Sequence, residues 1–272
     1  MPPLLLIHPV GVGLSSHFWD RFINRWREDD SATVLLAPDL IGCGKAECRR
    51  DPLTPDDWAQ PLVNVLRDRN DGPAVLVAQG TTLPIALAML EQAPELVCGM
   101  VAISPPGWRV LHETFPIERS RLLWRWLFQG PVGNLFYRYA RRRNFLKSFS
   151  EKNLFAKAAA VDDEWLQSLK EGSKDMNSRW AVYSFLAGFW RRDWEPQLTQ
   201  LTLPLQILFG GSATGIGRSR SWDDLDQRIS TYRRKLPNAV IETIPGKNVL
   251  PYESPEDCIN SVRNWLLTQD WK

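Results

Sequence analysis

Residues 73–83 (PAVLVAQGTTL) limit the fold of this chain more narrowly than any other segment. A short run of apolar residues without alternation predicts a buried strand over residues 74–78, and Leu83–Gln92 has a helical pattern. Only a few residues around Gly80 separate the two, so the chain has to turn sharply there. Glycine suits the apex of such a turn because it tolerates backbone angles that other residues adopt at a cost.

Strands and helices alternate along the rest of the chain. Thr54, Pro55 and Asp57 predict a helix start, with a capping threonine, a proline in the first turn and an acid three residues on. Buried strands separated by helices favour a mostly parallel sheet covered by helices on both faces. The predicted strands are residues 4–7, 33–37, 74–78, 97–104, 205–209 and 239–243, and the predicted helices are 16–26, 54–70, 83–92 and 255–267.

The segment 109–202 interrupts this rhythm, since it contains helical patterns and no convincing strand. We expect helices near residues 119–128, 135–149 and 179–190. The sequence therefore predicts one α/β core formed by residues 1–108 and 203–272, with 109–202 as a helical cap. Such an insertion can fold over the carboxyl ends of the strands, where open α/β sheets bind ligands.

Composition indicates a globular protein with a large core, at 44% hydrophobic residues and 24% charged. The four cysteines lack metal-ligand spacing, so we expect reduced thiols, no metal and no cofactor. The first residues lack the basic segment of a signal peptide, and no apolar run is long enough to cross a membrane. These features predict a soluble cytoplasmic protein, at most peripheral to a membrane. Thirteen Trp is a high number that buried packing or an aromatic pocket would explain.

Three further segments, in this order, resemble motifs of the α/β-hydrolase family. Residues 4–11 (LLLIHPVG) are similar to the strand that leads into the family's oxyanion loop, and 39–44 (DLIGCG) to its D-x-x-G-x-G turn. Residues 244–251 (IPGKNVLP) resemble the segment that carries the catalytic histidine. Together with the turn at Gly80, they imply an α/β-hydrolase fold over nearly the whole chain. The last motif also resembles a group of such proteins from photosynthetic lineages.

The resemblance places all three triad positions on residues without triad chemistry. The nucleophile falls at Gly80, the histidine at Val249 and the acid best at Ala213, with Asp223 and Asp224 as a displaced acid or the first turn of a helix. Hydrolysis by the family needs a nucleophile, a base and an orienting acid. We therefore expect no triad catalysis.

Backbone groups and a few side chains remain as site candidates. The resemblance implies an anion hole formed by the N–H groups of Val10 and Thr81, which needs no side chain. The side chains that could act in place of the triad are His8, the hydroxyls of Thr81 and Thr82, and Lys247 near the predicted histidine position. For each of them a structural role is the simpler interpretation.

Positive charge is concentrated in the first half of the cap. Residues 109–157 contain 11 Lys or Arg and 3 Glu, a net charge of +8 in a chain of net charge +2. A solvated helix face would explain this pattern, and a docking surface for anionic lipid headgroups or an acidic protein is the alternative. Nucleic acid is disfavoured because the whole chain is near neutral and has no binding motif. The cap-surface candidates are Arg138, Arg141, Arg142, Arg143 and Lys147.

Two hypotheses of function follow from the sequence. In the first, the protein has lost triad hydrolysis and binds an apolar small molecule in a lidded pocket, or a partner through the basic cap. In the second, it is an active hydrolase or lyase, similar to esterases and lipases, with a non-standard nucleophile or base. The contents of the pocket discriminate between them.

Overall fold

A computed structural model describes residues 1–216 and 224–271. Its centre is a sheet of six strands, all parallel, in the order β2-β1-β3-β4-β5-β6. The α/β-hydrolase fold predicted from the sequence is confirmed. The strands are β1 (Leu4–Ile7), β2 (Leu35–Leu36), β3 (Ala74–Gln79), β4 (Val97–Ile103), β5 (Leu205–Gly210) and β6 (Val240–Ile244).

Helices cover both faces of the sheet, and β1 shows why. All four residues of β1 are buried, and alternate side chains enter opposite cores: Leu5 and Ile7 in one, Leu4 and Leu6 in the other. A strand buried on both faces has to be apolar throughout, as this strand is. The helices of the sheet region are α1 (Asp20–Asp29), α2 (Pro55–Arg69), α3 (Leu83–Gln92), α11 (Leu225–Lys235), α12 (Leu250–Glu253) and α13 (Pro255–Leu267).

The predicted elements are present, with some differences at their ends. The predicted helix 16–26 begins as a 3-10 turn, Ser16–Trp19, and continues as α1. The strand predicted over 33–37 pairs only at Leu35–Leu36. The start of α2 is as predicted: Thr54 and Asp57 form a complete capping box, and Pro55 is the first helical residue.

The insertion between β4 and β5 is helical. It contains α4 (Trp108–His112), α5 (Ile117–Leu123), α6 (Pro131–Ala140), α7 (Arg143–Asn153), α8 (Asp163–Gly172), α9 (Arg179–Leu186) and α10 (Glu195–Thr199). The single helix predicted over 135–149 is wrong, because the chain turns at residues 141–142 between α6 and α7. The predicted helix 119–128 is α5 followed by a π-helical turn, Trp124–Phe128.

Most of the tryptophans that the structure describes are packing residues, and Trp126 is a clear exception. Trp19, Trp26, Trp58, Trp165 and Trp194 are among the largest fully buried side chains, whereas Trp126 in the cap is 73% exposed. Within residues 1–216 and 224–271, no helix is both long and apolar enough to cross a membrane.

Candidate functional site

Gly80 lies at the apex of a sharp strand-to-helix turn. Strand β3 ends at Gln79, a 3-10 turn spans Gly80–Thr82, and α3 begins at Leu83. The φ angle of Gly80 is +62°, in the left-handed region that favours glycine. A Cβ atom built there would have only the backbone oxygen of Ser104 within 4 Å, at 3.9 Å. The turn therefore has room for a side chain that the sequence does not supply.

Val249 and Ala213, the residues predicted from the sequence at the other two triad positions, are both buried. Val249 is 4% exposed and lines the same cavity as Gly80. Ala213, also 4% exposed, lies in the loop after β5, and its neighbours Thr214 and Gly215 line that cavity. Asp223 lies outside the described residues, and Asp224 is the residue directly before α11.

The cavity has a volume of about 510 Å³ and lies between the strand ends and the cap. This size falls within the range of pockets that hold drug-sized ligands. None of the described residues that line it is His, Asp, Glu, Lys, Cys or Tyr; the guanidinium of Arg228 is the one ionisable group on the described wall. The apolar part of the wall comes largely from the cap, through residues such as Phe145, Leu146, Leu154, Trp165, Leu169, Val182, Phe185 and Trp190.

His8 has a structural role. It is completely buried and does not line the cavity. Its Nδ1–H donates to the backbone oxygen of Pro9 over 3.0 Å, while Nε2 accepts from the N–H of Leu40 over 3.0 Å. Burial lowers the pKa of this imidazole to about 4, against the opposing effects of Pro9 and Asp39. A neutral ring with both nitrogens occupied has no free base to offer a substrate.

Asp39, from the D-x-x-G-x-G turn, also has its carboxylate engaged with backbone. Oδ1 accepts from the N–H of Ser16 over 2.7 Å, and Oδ2 from the N–H of Lys45 over 2.8 Å. Burial opposes ionisation, but these hydrogen bonds outweigh it and the pKa of Asp39 is lowered. This motif stabilises a turn next to the His8 loop.

Thr82 and Lys247 do not line the cavity either. The hydroxyl of Thr82 is buried and donates to the backbone oxygen of Gln79 over 3.0 Å. The Lys247 ammonium donates to the backbone oxygen of Lys152 over 2.5 Å, which joins this loop to the cap. Of the substitute groups predicted from the sequence, only Thr81 lines the cavity.

Val10 and Thr81, the two anion-hole candidates, both line the cavity. Val10 lies in the loop after β1, and no hydrogen bond from its N–H is formed within the described residues. Thr81 lies in the first turn after β3. The N–H groups in the first turn of a helix have no carbonyl acceptor within that helix. The N–H groups of Val10 and Thr81 could together hold an oxygen atom of a ligand.

Two polar residues of the cavity were missed by the sequence analysis. Gln79 directly precedes the apex and is 2% exposed; Ser104 directly follows β4 and is 7% exposed. The signal for Gln79 was a polar residue at the end of an otherwise apolar strand. Ser104 could be placed only by the sheet, because β4 lies beside β3 and Ile103 pairs with Gln79.

The basic cap residues do not form one uniform surface. Arg138 and Arg142 are exposed, and the guanidinium of Arg142 lies 5.7 Å from the ring centroid of Tyr139. Arg141 is half-buried and donates to the backbone oxygen of Lys174 over 3.2 Å. Arg143 pairs with Asp163, and Lys147 lies 3.9 Å from Glu151.

The part of the chain that the structure describes contains no cluster of three His, Cys, Asp or Glu side chains suited to a metal ion.

Several solved structures share this fold at low sequence identity. An esterase from Thermogutta terrifontis is 18% identical, with a TM-score of 0.73 over 98% of this chain and 90% of that one. A serine hydrolase involved in carbazole degradation is also 18% identical, with a TM-score of 0.72 over 99% and 92%. A haloalkane dehalogenase from Agrobacterium tumefaciens is 19% identical, with a TM-score of 0.70 over 98% and 90%. At these identities the similarity establishes the fold alone.

A search of curated protein sequences found no match to the chain. The model of the alpha/beta hydrolase family, in contrast, matches residues 4–260. That match spans the strands, the turn at Gly80 and the insertion between β4 and β5. The chain therefore belongs to the alpha/beta hydrolase family.

Proposed function

We propose that this protein binds an apolar small molecule in the cavity beneath its cap and does not use a Ser-His-Asp triad. The composition of the cavity wall is the observation that supports the proposal most strongly. The residues predicted at the three triad positions are Gly80, Ala213 and Val249, and no described residue of the wall is a general base. Removal of a triad member leaves only the residual rate that an anion hole and binding supply.

The shape and chemistry of the cavity support a binding role. Its wall is mainly apolar, with few polar side chains, which is typical of pockets that enclose an apolar ligand and orient it with a few hydrogen bonds. Burial of an apolar molecule here would be favourable by roughly 25 cal/mol per Å² of apolar surface removed from water.

Titration with diphenylhexatriene, a hydrocarbon that fluoresces strongly in apolar surroundings, tests this proposal. We expect saturable binding that Val110→Trp abolishes, because Val110 is half-buried on the cavity wall. Val240→Trp is the matched control, since Val240 is 40% exposed on β6 and does not line the cavity. Absence of saturable binding, or equal binding by both variants, would contradict the proposal.

An active hydrolase is the second candidate, and family membership favours it. The similar structures include an esterase, a serine hydrolase and a dehalogenase, and Val10 and Thr81, the anion-hole candidates, line the cavity. In this case a hydroxyl on the cavity wall would have to act as the nucleophile, and the hydroxyl of Thr81 is the one that directly follows the apex in the chain.

A panel of p-nitrophenyl esters from acetate to decanoate separates the two candidates. The binding proposal predicts turnover at the background rate for the purified protein. Turnover above background that disappears in Thr81→Ala, with Thr82→Ala as the control, would establish the hydrolase instead. Thr82 suits this control because its hydroxyl is held by the backbone away from the cavity.

Exposed apolar side chains on the outer face of the cap support a docking role for that face. On α6, Val132, Leu135, Phe136 and Tyr139 are exposed by 56%, 70%, 37% and 52%. These positions fall on one side of the helix, so an apolar stripe faces outward instead of toward the core. Trp126, the most exposed aromatic residue of the cap, lies in the turn that packs against α6.

An anionic membrane surface is the occupant that fits this outer face. Arg125, Arg138 and Arg142 are exposed around the stripe, and residues 109–157 have a net charge of +8. Aromatic and aliphatic side chains among basic residues are typical of surfaces that lie in the headgroup region of anionic bilayers. Phe136 and Phe149 are exposed and also line the cavity, which places the cavity mouth on this face.

Sedimentation with vesicles of phosphatidylcholine, with and without phosphatidylglycerol, tests the docking role. We expect binding only to the anionic vesicles, weakened by high salt, and strongly reduced in Trp126→Ser/Leu135→Ser. Leu267→Ser is the matched control, because Leu267 is 68% exposed at the end of α13. Absence of salt-sensitive binding would refute membrane docking and leave an acidic protein as the partner to test.

A further inference from the structure

Two buried oxygen atoms at the floor of the cavity have no hydrogen-bond partner within the described residues. They are Oε1 of Gln79 and Oγ of Ser104, on side chains that line the cavity. Both residues are more than nine-tenths buried. Because most buried polar side-chain atoms in proteins are paired, two such atoms in one cavity indicate a polar group that comes from a ligand.

The orientation of the Gln79 amide is fixed by its neighbour. Nε2 donates to the backbone oxygen of Asn248 over 2.6 Å. Rotation of the amide by half a turn would bring two acceptor oxygens together, so the nitrogen has to remain on that side. Oε1 is therefore an acceptor that needs a donor.

Ser104 presents its hydroxyl from an unusual backbone conformation. Its φ angle is +46°, which few residues other than glycine adopt, and its N–H donates to the backbone oxygen of Leu208 over 2.7 Å. Non-glycine residues held in this region cluster at functional sites. The hydroxyl can both donate and accept a hydrogen bond.

We propose that the ligand of the cavity is an apolar molecule with an alcohol group, which donates to Gln79 Oε1 and accepts from Ser104 Oγ. This inference rests on the proposed binding function and specifies the class of its ligand. An alcohol has both capacities, because its O–H donates and its oxygen atom accepts. An ether or a ketone only accepts, so it would leave Gln79 Oε1 buried without a donor, which is unfavourable.

Calorimetric titration with 1-octanol and with methyl octyl ether tests the inference, since the two differ mainly in the hydroxyl proton. We expect the wild-type protein to bind octanol about tenfold more tightly than the ether. Ser104→Ala should weaken the binding of both compounds about fivefold to tenfold, because the oxygen atom of each accepts from the Ser104 hydroxyl. The Ser104 hydroxyl makes no hydrogen bond within the described residues, so its removal leaves the fold intact.

Ser150→Ala is the matched control. Ser150 also lines the cavity, but its Oγ already accepts from the indole N–H of Trp165 over 2.9 Å. We expect this variant to keep the wild-type affinity for both compounds. Equal affinity of the wild-type protein for the two compounds, or unchanged octanol affinity in Ser104→Ala, would overturn the alcohol inference. Saturable diphenylhexatriene binding in the same preparation would then show that the cavity still binds apolar molecules, whereas its absence would refute the binding function itself.

Discussion

The side-chain amide of Gln79 donates a hydrogen bond of 2.6 Å to the backbone oxygen of Asn248. This bond joins the turn at Gly80 to the loop that carries Val249. The Asn248 side chain extends the connection, because its Nδ2 donates to the backbone oxygens of Asn153 over 2.7 Å and Thr214 over 2.9 Å. One asparagine thus links the turn at Gly80, the loop after β5 and the cap around the cavity.

Replacement of Asn248 by aspartate should destabilise the protein by about 3 kcal/mol. The side chain is 8% exposed, and a carboxylate would face two carbonyl oxygens to which the amide now donates. Urea denaturation of the wild type and Asn248→Asp measures the difference. Asn64→Asp is the control, since Asn64 lies exposed on α2 and accepts from Gln60 through its side-chain oxygen. Equal stability losses in the two variants would contradict this role for Asn248.

Alanine variants of Gly13 and Gly72 distinguish the effect of a steric clash on stability from the effect of backbone strain. Both have positive φ angles, +77° and +89°, but a Cβ on Gly13 would lie 1.9 Å from the backbone oxygen of Leu169 in α8. A Cβ on Gly72 would meet no atom within 4 Å. We expect Gly72→Ala to lower the free energy of unfolding by about 1 kcal/mol and Gly13→Ala to lower it by at least about 3 kcal/mol. The difference arises because only the alanine at position 13 would push the loop after β1 away from α8. Thermal unfolding ranks the variants, and similar losses would mean that the loop and α8 are not tightly packed.

The buried imidazole of His8 should make stability depend on pH below neutrality. Its pKa is about 4 in the folded protein and 6.5 in an exposed chain, so the unfolded state binds more protons between these values. The stabilisation is present above pH 6.5 and is lost as the pH falls toward 4, by about 3 kcal/mol in total and about 2 kcal/mol between pH 7 and pH 5.

Denaturation of wild type and His8→Asn at pH 7, 6 and 5 measures this effect. We expect the variant to be less stable at pH 7 and to lose less stability on acidification. His17→Asn, which replaces an exposed imidazole next to Asp20, should retain the wild-type dependence. If the stability of His8→Asn changed with pH as the stability of the wild type does, His8 would not be the cause of the effect.

Gly80→Ser should not create an esterase. The turn has space for the side chain, but the described cavity wall provides no base to activate a hydroxyl. We expect turnover of p-nitrophenyl acetate to remain at background in Gly80→Ser and to rise only when Val249→His and Ala213→Asp are added. Rapid turnover by the single variant would reveal a base that the triad positions do not predict.

The strand and helix pattern was predictable because it depends on short-range properties. An apolar run such as Leu4–Ile7 cannot be solvated at either face, and the Thr54–Asp57 capping box is complete within four residues. The helix predicted over residues 135–149 failed because its apolar spacing continues through the turn at 141–142, so periodicity alone does not reveal the break. The exposed stripe on α6 was also hidden, since a sequence pattern does not show which side of a helix faces solvent.

The sequence by itself determined the fold family, and motif order alone predicts Gly80, Ala213 and Val249 at the triad positions. Only the tertiary structure decided which groups share the cavity. It placed His8, Thr82 and Lys247 away from the wall, and it brought Gln79 and Ser104 to the floor from two neighbouring strands. The physical reason is that a buried polar atom needs a partner, and partners distant in the chain meet only when the sheet and the cap have packed together.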